Sequence, residues 1–162
     1  MKYYAGIGSR KTPPAILQIM TSIANKMRVK EYTLRSGGAT GADKAFEQGA
    51  ENLKKIFTAN SHLSEAVMMT VDKYHPAPHR LSPYGKQLMA RNSMQILGEC
   101  LNSPVEIVFC WTPDGADGTK IPTSQKTGGT GQAIRIAASH NIRVINLQNP
   151  LQKNTVSQWL ES

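Results

Sequence analysis

Apolar positions recur along this chain in two alternating rhythms. Short apolar runs at Lys2–Ile7, Tyr32–Leu34, Lys55–Ala59, Val105–Cys110 and Arg143–Leu147 have strand length. Between them the spacing changes to the helical i, i+3, i+4 pattern. Ile16, Leu17, Met20, Ile23, Ala24 and Met27 follow Pro13-Pro14 and predict a helix to about residue 28. Asp43–Lys54 predicts a second helix, with Ala42, Ala45, Phe46, Gly49, Ala50 and Leu53 inward, and Ser64–Val71 a short third. Ser82 and Pro83 read as N-cap and first residue of a long helix reaching about Leu101. The stretch from residue 128 to about Asn141 and the segment Asn154–Glu161 complete the set. Val105–Cys110 is an almost continuous apolar run, as a strand covered on both faces requires. The alternation predicts one α/β domain over residues 1–162, doubly wound about a mostly parallel sheet of about five strands. Its core would span 2–147, with a C-terminal helical tail at 150–162.

Composition narrows the class. With 162 residues, 40% hydrophobic and 19% charged, the chain can bury a real core. Its longest apolar runs are too short to cross a bilayer, and no signal-peptide pattern precedes the first strand, so a cytoplasmic placement is expected. Cys100 and Cys110 read as reduced core thiols. The net charge of +8 calls for an anionic partner, yet the basic residues are scattered rather than striped as in a duplex-DNA reader.

Three glycine-rich stretches sharpen that expectation. Gly6-Ile7-Gly8-Ser9-Arg10 follows the first strand, Ser36-Gly37-Gly38-Ala39-Thr40-Gly41-Ala42-Asp43 the second, and Thr127-Gly128-Gly129-Thr130-Gly131-Gln132 opens a late helix. Glycine lets the backbone approach a ligand closely, and a helix start offers free N–H groups, so each stretch suits a phosphate. Arg10 and Arg91 can fork onto phosphate oxygens, Ser9, Ser36 and Thr130 can donate hydroxyls, and Asn92 can bond a base or ribose edge. Trp111, leaving the fourth strand, reads equally as a stacking platform or as core. Trp111–Lys126 is a long polar loop beside the expected pocket and suits a lid, while Asp114 and Asp117 within it fit turn chemistry. His75 and His79 are separated by prolines that deny them a shared helical face, so no metal site is expected, and no cofactor is required.

The ordered set GIGSR, SGGATGAD and GGTGQAIRIA, with Ala90-Arg91-Asn92-Ser93-Met94 and Cys110-Trp111-Thr112-Pro113-Asp114-Gly115, resembles the SLOG superfamily over about Lys2–Leu147. That Rossmann-like group contains the DNA-processing protein A domain, the lysine-decarboxylase-like phosphoribohydrolases and the YspA/YpsA-type proteins. The resemblance is to its compact members, some encoded by phages. It implies a nucleotide-type ligand at the carboxyl ends of the strands, held by Gly8, Ser9, Arg10, Ser36, Gly37, Gly38, Asp43, Arg91, Asn92, Trp111, Gly128, Gly129, Thr130 and Gly131. The phosphoribohydrolase motif carries a glutamate after its glycines; here Gln132-Ala133-Ile134 follows, which argues against that chemistry.

Three functions follow, and the first is favoured because several glycine loops with no obvious catalytic acid suit binding better than turnover. The first is capture of a free, ADP-ribose-like or cyclic nucleotide, including sequestration of an immune signal. The second is a nucleotide hydrolase with Asp43 as its acid or base. The third is a single-stranded DNA binder using Arg10, Arg35 and Arg91 on one face. A homo-oligomer paired through the helix around Met89–Leu101 is also expected.

Overall fold

The computed structural model describes all residues, 1–162. Strands β1 (Lys2–Gly6), β2 (Tyr32–Ser36), β3 (Lys54–Ile56), β4 (Ile107–Cys110) and β5 (Arg143–Asn146) alternate with helices. These are α1 (Pro14–Val29), α2 (Ala42–Ala50), α3 (Glu65–Tyr74), α4 (Pro83–Leu97), α5 (Thr130–Ser139) and α6 (Pro150–Glu161). The strands form one sheet in the order β3-β2-β1-β4-β5, and every pairing is parallel.

Strand periodicity divides the core. Tyr4, Leu34, Phe109 and Ile145 face α1, α2 and α6. Their neighbours Ala5, Val108, Cys110 and Val144 face α4 and α5. A smaller cluster of Phe57, Val67, Val71, Met89, Ala90 and Met94 fixes α3 against α4. The predicted face of α1 is the buried one, namely Ile16, Met20, Ile23, Ala24 and Met27. Gly49 is where α1 and α2 meet most closely: a Cβ there would run into the Thr21 carbonyl and stand 3.0 Å from Asn25 N. Backbone cannot yield as a side chain can. Gly49→Ala is therefore expected to destabilise the fold by about 1–3 kcal/mol despite alanine's better helix propensity. A urea midpoint unchanged from wild type would refute that account of the contact.

Several boundaries differ from the sequence pattern. The long helix stops at Leu97 rather than Leu101, because Gly98 takes φ +83° and turns the chain. Arg35 closes that turn: its guanidinium lies 3.9 Å from the Tyr3 ring centre and donates to Ser103 O and Oγ. The last helix begins at Pro150, capped by Asn149, where the expected tail of 150–162 starts and four residues before the segment Asn154–Glu161. Val156 is buried and Trp159 stacks on Phe109, covering the β4–β5 side of the sheet. Cys110 lies in the core as expected, whereas Cys100 is exposed. Met89, Ala90 and every residue from Asn92 to Leu97 are buried, so that part of α4 is core and not an oligomer surface. No helix is long and apolar enough to cross a membrane.

Candidate functional site

The strand order reverses between β1 and β4. Connections from β1 lead one way across the sheet and those from β4 the other, so a crevice opens at their carboxyl ends. Here a cleft of about 650 Å³ is lined by the loop after β1, the start of α2, one face of α4, Pro113 and residues 125–130. A second cavity, about 490 Å³ between α1 and α6, lies at the opposite edge of the strands, near Tyr32, Ile107 and Arg143, and holds none of the expected residues.

Of the residues singled out in the sequence, Gly8, Ser9, Arg10, Asp43, Arg91, Asn92, Gly128, Gly129 and Thr130 share this cleft. Ser36, Gly37, Gly38, Gly131 and Trp111 do not line it. Ser36 is fully buried and donates its hydroxyl to Gly6 O at 2.6 Å, tying the first two glycine loops together. Gly37 lends its carbonyl to Arg91 and has no room for a side chain, since a Cβ would strike that guanidinium. Gly131 sits against Thr127 and Arg135 in the first turn of α5. The Trp111 ring packs on the core cluster under α1, α2 and α6, and its main chain accepts from Ser9 N at 3.1 Å. The expected stacking platform is thus a wall support.

Arg91 is also more constrained than its sequence role suggested. One terminal nitrogen, Nη1, donates to Gly37 O (2.9 Å) and Phe57 O (3.0 Å), while Nε donates to Asn92 Oδ1 (2.8 Å). Asn92 in turn donates to Gly129 O at 2.9 Å. Arg91 and Asn92 therefore tie α4 to the loop after β2, the end of β3 and the third glycine loop, and leave only the second terminal nitrogen of Arg91 without a protein partner. Arg35 is buried beneath the C-terminal end of α4 and cannot join Arg10 and Arg91 on a binding face.

Asp43 lies on the cleft lining, 4% exposed, and accepts from Ala39 N at 3.2 Å. Burial pushes its carboxyl up to about 6, opposed by the Ala39 N–H and by Arg91 and reinforced by Glu47. The group both anchors its own loop and faces the ligand space.

The third glycine loop leaves backbone donors unpaired at the cleft. The N–H groups of Gly129 and Thr130 find no acceptor within the chain, at the positive end of α5. Gly128 there has φ +71° and open space around its Cβ position. Arg10, Lys11 and Lys126 are exposed at the mouth. Lys11, Lys126, Tyr84, Leu88, Met89 and Gln95 were not singled out from the sequence. Four of the cleft residues lie at i, i+4, i+7 and i+11 from Tyr84, so the helical face carrying Arg91 held the missing signal.

The long loop after β4 is bolted rather than lid-like. Asp114 accepts from the hydroxyls of Thr112, Ser124 and Thr127 and from Ala116 N, which hold its carboxyl below the usual range although burial acts the other way. Asp117 accepts from Thr119 and Ile121, and buried Asn146 pins the loop root through Thr112 and Ala116.

An open parallel sheet with a glycine-walled cleft at its switch point defines a Rossmann-like α/β domain. No protein-family model matches the chain, and no curated protein matches it in sequence. Among solved structures, DNA processing protein A from Helicobacter pylori has the same fold, with a TM-score of 0.60 and 15% identity. The match covers 99% of this chain and 80% of that one, whose structure was described for its single-stranded DNA binding mode.

Proposed function

We propose that the chain binds single-stranded DNA, seating phosphates along the switch-point cleft, as a compact SLOG-type domain. The observation that carries this reading is the set of three exposed, unpaired cations on one open cleft. Arg10, Lys11 and Lys126 stand at its mouth beside the free Gly129 and Thr130 N–H groups. A chain of net charge +8 adds a long-range attraction to phosphate. The shared fold with a protein described for binding single-stranded DNA supports the choice of polymer.

The test is fluorescence anisotropy of a labelled oligothymidylate across a salt series. The expected result is an association constant falling steeply with salt, and a log–log slope shallower by roughly 1.4 in the Arg10→Ala/Lys126→Ala double variant. Absent or salt-insensitive binding would sink the reading.

The cleft's volume of about 650 Å³ favours a second one, a free nucleotide or nucleotide derivative held without a polymer. Depletion of a nucleotide panel by the protein, followed by heat release, separates the cases. A compound recovered unchanged means capture or sequestration. A new product means hydrolysis, for which Asp43 is the available acid or base.

A further inference from the structure

The geometry points to Tyr84 as the base-stacking residue of this cleft, and hence to an occupant recognised by its aromatic bases as well as its phosphates. This rests on the nucleic-acid reading above and adds to it a contact that phosphate binding alone does not require.

Five large hydrophobic side chains are exposed on this protein: Met1, Val29, Met69, Tyr84 and Leu151. Only Tyr84 among them lines the cleft, and it is 59% exposed there. Its backbone is firmly placed. Pro83 precedes it in the first turn of α4, and Ser82 Oγ accepts from Gly85 N at 3.0 Å. An aromatic ring on a fixed helical turn loses little freedom when a base stacks on it, so its exposure is suited to a ligand.

The surroundings give the cleft a polarity. From Tyr84 the same face of α4 continues through Leu88 to Arg91 and Gln95, with Met89 alongside. The wall thus runs from aromatic and aliphatic at the mouth to cationic below, over roughly 10 Å between Tyr84 and Arg91 at the helical rise. Opposite stand Gly128, Gly129 and Thr130, the last two with free N–H groups. The two walls touch: a Cβ on Gly129 would lie 3.2 Å from Met89 Cε, and Asn92 bonds the Gly129 carbonyl. One wall therefore offers anion contacts and the other an apolar surface ending in an exposed ring. Inorganic phosphate or a bare sugar-phosphate chain would use the first and leave the second wet. A nucleotide unit uses both, with base on Tyr84 and phosphate on the α5 start.

The experiment compares a labelled oligothymidylate with an oligomer of equal length and charge made of abasic units. Wild type is expected to prefer the oligothymidylate by roughly 10- to 100-fold. Tyr84→Ala should bind both oligomers alike, at about the wild-type affinity for the abasic one. Tyr84→Phe and Tyr84→Trp should retain the preference within about threefold, since stacking needs the ring and not the hydroxyl. A urea midpoint for Tyr84→Ala equal to wild type keeps a folding defect from mimicking the loss. Wild-type binding without base preference, or a preference that survives in Tyr84→Ala, overturns the assignment of Tyr84 and leaves the phosphate cleft standing. Failure of wild type to bind either oligomer overturns both.

Discussion

Arg91→Ala is expected to destabilise the protein by roughly 3–5 kcal/mol, the largest loss from any single truncation in the cleft. The guanidinium donates to two main-chain carbonyls, Gly37 O after β2 and Phe57 O after β3, and to Asn92 beside it on α4. Truncation leaves those carbonyls without their partner and removes the cation nearest a buried carboxylate. Arg91→Lys should recover only part of the loss, because an ammonium cannot reproduce the planar fork that reaches two carbonyls and an amide. Denaturant unfolding of both variants checks this. If Arg91→Ala unfolds within about 1 kcal/mol of wild type, the side chain does not tie the loops together, and a purely ligand-facing role returns.

The second large effect has the opposite sign. Asp43→Asn is expected to stabilise the protein at pH 7–8, by up to roughly 3 kcal/mol from a rise of about two pH units in the folded carboxyl. The folded protein holds this proton up to about pH 6, while an unfolded carboxyl releases it near 4. The folded state therefore binds more protons between those values. The stability contributed by protonated Asp43 is fully present below about pH 4 and is lost as pH rises through about 6. Asparagine keeps an oxygen for Ala39 N–H without a charge to desolvate, so its variant should lack this slope. Thermal unfolding from pH 4 to 8, wild type against variant, reads it directly. Parallel stability curves would mean that the carboxylate is compensated after all.

The same charge bears on binding. An ionised Asp43 repels a phosphate in the cleft, so wild-type affinity for an oligonucleotide is expected to rise as pH falls from 7 to 5. Asp43→Asn should bind more tightly at pH 8 and respond less to pH over that interval. Should the protein prove to process its ligand, the same variant would lose turnover while retaining affinity, which separates a chemical role for Asp43 from an electrostatic one. Because Asp43 and Arg91 attract each other, their variants should not add. Arg91→Ala is expected to cost less in the Asp43→Asn background.

The glycine-walled half of the cleft was legible in the sequence because its signals are local. A helix start leaves its first N–H groups without an intrahelical partner, as at Gly129 and Thr130, and the preceding glycines mark that start in the sequence. The ring-bearing half was not. Trp111 follows an apolar strand and invites a stacking role, but the residue's direction depends on the pleat and on where α1 and α6 pack. Tyr84 sits in a plain helical turn, and only the path of α4 across the switch point carries it to the cleft.

Periodicity and glycine placement, taken along the chain alone, determined the α/β class, the helix faces and the glycine-rich turns, since each depends on neighbours a few residues away. Tertiary structure decided which cations are free and which are structural. Arg10, Arg35 and Arg91 are the same residue type in sequence. Folding leaves Arg10 at the mouth, stacks Arg35 on Tyr3 beneath a turn, and spends most of Arg91 on carbonyls from two other loops. The physical reason is that a guanidinium's availability depends on whether unpaired carbonyls or aromatic faces surround it, and those neighbours come from segments distant in sequence.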